Sequence, residues 1–217
     1  MSTTMSASMS VHGPLVEQLL EGQFICAITN EEYFAKLQHD DVREGIDAYL
    51  KPLNRRVASN DDNSVYFLAY RDIDDPAREH LKQQLGVIMS SLLPLLEWLT
   101  YVQEAMGSDG ILTAGDTLKL QELVIKTEDN PSLRQRLQSL ASDKFFGSSA
   151  DSVDAQAKQV AKRLVEHGYL VQPHSSRLYF TVTGKIDYLL ELVRFIKDEE
   201  NIPLDDYQNS QAQTELL

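Results

Sequence analysis

The chain has 217 residues, of which 42% are hydrophobic and 24% charged, with a formal net charge of −13. That is globular composition with length for one large core or two small ones, and it excludes a fibrous or wholly disordered chain. The charge repels nucleic acid, whose affinity for proteins comes from cations that neutralise phosphates, so any DNA contact must be local or shared with a partner.

MSTTMSASMS has no basic cluster and no apolar stretch of signal-peptide type, so residues 1–12 read as a frayed tail. Leu15, Leu19 and Leu20 then mark a short amphipathic helix, and the apolar run Phe24 to Ile28 has strand character. Within it lies the single cysteine, Cys26, which excludes an internal disulfide and reads as a small buried hydrophobe.

Thr29 or Asn30 caps a helix through Leu37, and Asp40 caps the next. There Val42, Ile46, Tyr49, Leu50 and Leu53 define one buried face until Pro52 stops the helix. Arg55 to Ser59 and Val65 to Tyr70 form a hairpin around the turn-rich NDDNS.

Asp75-Pro76 opens a long helix with Leu81, Leu85, Ile88, Leu92, Leu95, Leu99 and Val102 at alternating spacings of four and three. Pro94 removes one helical hydrogen bond and predicts a kink. Leu93, Leu96 and Trp98 lie off the seam, so the helix is expected to be buried on several sides, in the core or a dimer interface, rather than to form a free coiled coil. Ser90, Ser91, Pro94 and Glu97 interrupt the apolar stretch Gly86 to Leu99, making it too short and polar for a membrane span.

Two further helices are expected around Thr117 to Ile125 and from Asn130-Pro131, with Gly147 to Ser149 as a loop. A helix from Val153 to His167 carries Val153, Ala157, Val160, Ala161, Leu164 and Val165 on one apolar stripe, and Gly168 follows as its left-handed terminator. Strands at Tyr169 to Val171 and Arg177 to Val182 flank the turn QPHSS.

The last helix follows Thr183 and carries two apolar stripes, Ile186, Leu189, Leu190, Val193, Ile196 on one side and Tyr188, Leu192, Phe195 on the other. Two stripes need two partners, so Tyr188, Leu192 and Phe195 are expected to bind another polypeptide, with packing within the chain as the alternative. From Asp198 the chain turns acidic and then polar, a tail whose IPL island is a candidate docking peptide.

Helix plus two-stranded wing, met twice, predicts a mainly α protein with small β wings, an α+β fold of tandem winged-helix modules. The expected boundaries are a module over 13–73, a connecting helix over 74–107, a second module over 108–200 and a tail over 201–217.

No phosphate-binding loop, dinucleotide turn, zinc-protease pair or nucleophile elbow occurs. The five histidines are scattered, so no metal, cofactor or catalytic residue is expected. Lys158, Lys162 and Arg163 on the third helix of the second module, with Arg177 on the wing, are the candidate phosphate contacts. Asp151, Asp154 and Glu166 make the face mixed in sign, so a solvated helix face is the competing reading.

The stretch KQVAKRLVEHGYLVQPHSSRLYFTVT and the preceding ILTAGDTLKLQELVIK resemble the MukE and MksE proteins, over roughly residues 13 to 205. The resemblance implies a cytoplasmic, nucleoid-associated homodimer that binds a kleisin of MukF or MksF type. Through it the protein would reach a MukB-like or MksB-like SMC ATPase and DNA in a condensin that organises and segregates chromosomes.

It further implies DNA contacts at Lys158, Arg163 and Arg177. Where the family has two more basic residues before the glycine, this chain has Val165 and Glu166. A stand-alone winged-helix transcription regulator is the competing expectation.

Overall fold

The computed structural model describes residues 12–200, apart from the side chains of residues 84, 85, 87 and 197–200. Leu85 on the heptad-like seam, the tail beyond 200 and its IPL island therefore fall outside the described residues, as does the N-terminal tail up to residue 11.

The first half runs α1 (residues 12–20), β1 (Ile25–Cys26), α2 (Glu31–Leu37), α3 (Asp40–Leu50), β2 (Arg55–Ser59) and β3 (Val65–Tyr70). Its three strands are antiparallel in the order β1-β3-β2. Asn30 is the cap of α2, its side chain accepting from the Tyr33 N–H at 3.0 Å. Thr29 instead accepts from the Cys26 N–H at 2.9 Å and bends the chain out of β1.

At α3 the N-cap is His39, with Asp40 as the first helical residue, where its negative charge suits the positive end of the helix. The buried face of α3 is narrower than its periodicity suggests. Ile46 and Leu50 join Leu15, Leu19, Ile25, Leu37 and Tyr66 in the core, while Tyr49 and Leu53 are exposed.

α4 (Asp75–Met106) is capped by Asp74, one residue earlier than expected, which accepts from the Ala77 N–H at 2.9 Å. The helix continues through Pro94 without a break in assignment. Its apolar window is longer than Gly86 to Leu99 and does pass for a membrane span by length and composition. Half of that window is buried inside the fold, however, as in the core helix of a globular protein.

That burial redraws the boundary at 74–107. Leu92, Leu95, Trp98, Leu99, Tyr101 and Val102 belong to the second core, so the C-terminal half of α4 is that unit's first helix rather than a connector. Periodicity identifies an apolar face but not what covers it.

The second half continues with β4 (Thr117–Lys119), α5 (Leu120–Glu128), α6 (Pro131–Ser142), α7 (Val153–Glu166), β5 (Leu170–Val171), β6 (Tyr179–Val182) and α8 (Gly184–Glu200). Thr117 to Lys119 was expected as helix and is instead a strand, pairing Leu118 with Phe180 in a sheet of order β4-β6-β5. Both sheets thus place the third strand of the unit in the middle. The fold is mainly α with small antiparallel sheets.

Within the second core Thr127 Oγ1 donates to the Leu123 carbonyl at 2.8 Å, so its single proton is used and the Tyr101 hydroxyl must donate to Thr127. Gly168 adopts a φ of 75° after α7, the left-handed turn that releases the chain into β5.

The two halves meet on α8. The Gly184 N–H donates to Cys26 Sγ at 3.3 Å, Tyr188 packs between Phe24 and Phe67 at ring distances of 5.0 and 4.8 Å, and Asn60 Nδ2 donates to Glu191 at 2.9 Å. Asn60 also accepts from the Ser64 and Val65 N–H groups, so the residue that shapes the first wing's turn ties it to the other half.

Candidate partner and nucleic-acid interface

α7 lies immediately before β5 and β6. Its amphipathic sequence buries Ala157, Val160, Ala161 and Leu164, and Ser152 caps it by accepting from the Ala155 N–H at 3.3 Å. Lys158, Lys162 and Arg163 therefore face outward or along its flank. Each has an acidic partner on the same helix.

Lys158 pairs with Asp154 at 2.8 Å, and Lys162 and Arg163 reach Glu166 at 3.8 and 2.8 Å. Arg163 Nε also donates to the Phe145 carbonyl at 3.2 Å. The hydrogen bond from Arg163, followed by the charges of Lys162, Arg163 and His167, holds the Glu166 carboxyl below its usual range. A phosphate at this face must compete with these exposed internal acids, which are weak but local competitors.

Glu166→Gln is accordingly expected to strengthen binding to a nonspecific duplex at low salt and to steepen its salt dependence, read by fluorescence anisotropy. Its melting temperature should change little, because the pair is at the surface. Unchanged DNA affinity would mean that α7 does not face the duplex.

Arg177 lies apart from these three. It lines a groove of about 790 Å³ between the second wing, β4 and α5, together with Lys119, Lys126, Ile125 and Tyr179. Lys126 is held by Glu122 at 3.5 Å and the Met106 carbonyl at 3.2 Å. Among the described residues, Arg177 and Lys119 have no acidic partner. The four candidate DNA contacts thus divide into a neutralised helix face and a wing cation in a separate groove.

The second stripe of α8 also divides. Tyr188 is half-buried against Phe24 and Phe67 of the first half, and burial raises its phenol pKa. Leu192 is half-buried, and Phe195 is 62% exposed. The first stripe packs on the second core through Ile186, Leu189, Leu190 and Val193. One turn of the stripe is satisfied internally because α8 begins at the junction and then runs beyond it.

A third cluster went unread in the sequence. Lys185, His167 and Lys144 line a cavity of about 400 Å³ with Arg163 and the rings of Phe24, Phe145, Tyr169 and Tyr188. The available signal was Lys185 itself, a cation at the second position of a helix, where the backbone dipole disfavours positive charge.

Among the described residues no three His, Cys, Asp or Glu side chains converge as a metal-ligand set. The chain matches no family model and no curated protein sequence.

Proposed function

We propose that this protein is a non-enzymatic, kleisin-binding subunit of a bacterial condensin-like complex of the MukE/MksE type, acting in the cytoplasm on chromosome organisation and segregation. The observation that carries the reading is the repeated helix-and-wing connectivity, with both units docked on one terminal helix that still presents Phe195 to solvent. Leu192 and Phe195, one turn beyond the internal junction, are the proposed anchors for the kleisin or for a second copy of the chain. Aromatic anchors of this kind dominate binding energy when a partner desolvates them.

DNA contact is secondary in this proposal. With a net charge of −13 and the α7 cations paired to acids, the assembled complex supplies the positive surface. Nucleotide hydrolysis belongs to the SMC-like partner.

The test is co-expression with a MukF-type or MksF-type kleisin, followed by size-exclusion chromatography with light scattering. A stable complex larger than the protein alone is the expected result, and Phe195→Asp is expected to weaken it by roughly tenfold or more. A chain that ignores the kleisin yet binds one palindromic DNA sequence tightly at physiological salt would instead be a transcription regulator.

A further inference from the structure

The cavity at the meeting of α4, α7 and α8 is lined by more cations than acids. Lys185 Nζ donates to the His167 carbonyl at 2.8 Å and lies 5.0 and 4.8 Å from the ring centres of Phe24 and Tyr169. Among the described residues no carboxylate pairs with it, and burial pushes its ammonium below the usual lysine range. A desolvated ammonium costs several kcal/mol when hydrogen bonds and rings alone offset it.

Lys144 opens onto the same cavity, as does Arg163, whose charge Glu166 shares with Lys162. Asp143 is the one acid on the lining, and it is committed to the Phe145 N–H at 2.7 Å. The His167 ring leaves Nε2 buried with no hydrogen-bond partner. Burial, then the Arg163 and Lys185 charges, disfavour its protonation. The lining thus carries three cations, Lys144, Arg163 and Lys185, against the single acid Asp143, and its other walls are mostly aromatic, with Ile88 and Leu189.

We propose that this cavity binds a small oxyanion, phosphate or carboxylate, carried on an aromatic body. The oxyanion meets Lys185, Lys144 and the free nitrogen of His167, while the ring packs among Phe24, Phe145 and Tyr188. A volume of about 400 Å³ is of the size that takes a small organic molecule. The site joins the first half, through Phe24, to α7 and α8 of the second, so its occupant would brace the two units against each other. It stands independently of kleisin binding.

The test is isothermal titration of the full-length protein with benzoate, adenosine monophosphate, inorganic phosphate and the uncharged control benzyl alcohol. Benzoate or adenosine monophosphate is expected to saturate with Kd of about 1 mM or tighter. The stronger of the two assigns carboxylate or phosphate as the preferred anion.

Lys185→Met keeps the stem between the rings and is expected to weaken binding at least tenfold. Lys144→Gln, an exposed change that leaves folding intact, should weaken it roughly threefold and decides the matter if the first variant does not fold. The proposal is overturned if neither aromatic anion saturates by about 10 mM, if benzyl alcohol or inorganic phosphate binds as well as they do, or if the variants bind unchanged.

Discussion

Trp98→Ala is expected to destabilise the second unit by about 3–5 kcal/mol, the range for removing a buried indole from a packed core. Trp98 is 1% exposed and sits among Leu95, Leu99 and Val102 on the half of α4 that joins the second core. If the helix were only a connector between modules, the same truncation would leave a surface groove and cost little.

Thermal melts followed by circular dichroism decide between these. At four to eight degrees per kcal/mol for a unit of this size, the second unit should melt roughly 15 °C lower or more. A loss below about 1 kcal/mol would return α4 to the connector role. Trp98 is also the single tryptophan of the chain, so the unaltered protein should show blue-shifted emission that reports the second core alone.

Local chemistry made most elements legible in advance. Asn30, Asn130 and Ser152 accept from the first-turn N–H groups they precede, and the hairpin β2–β3 follows its alternating run and turn residues. β4 was not legible, because three residues of Thr-Leu-Lys carry too little alternation to outweigh the helical pattern that follows them. Its strand character comes from pairing with β6, some sixty residues later in the chain.

The candidate site shows the same limit. The pairs Asp154–Lys158 and Lys162–Glu166 stand four residues apart, so neutralisation of the α7 face was readable by spacing. What spacing could not reveal was that Tyr188 meets Phe24 and Phe67, or that Lys185 shares a cavity with Lys144. Both depend on how the first half docks on α8, and docking of one unit on another leaves no periodicity in the sequence.

That docking is tightest at one glycine, and Gly184→Val is expected to open the junction at a cost of about 1–3 kcal/mol, the usual range for overpacking. A Cβ at Gly184 would stand 3.1 Å from the Cβ atoms of both Cys26 and Val65. Valine adds two more carbons in the same gap. Relief requires β1 and β3 to move away from α8, which also stretches the hydrogen bond from the Gly184 N–H to Cys26 Sγ.

The second core lies on the opposite stripe of α8, through Ile186 and Leu189, and does not have to yield. Trp98 emission should therefore stay blue-shifted while hydrogen exchange rises in β1 and β3, and Cys26 should react faster with a thiol reagent. Gly184→Ala should show the same changes to a smaller degree. If stability, exchange and thiol reactivity all match the unaltered protein, the first sheet does not rest on α8 in solution, and Tyr188 is free to serve as a partner anchor after all.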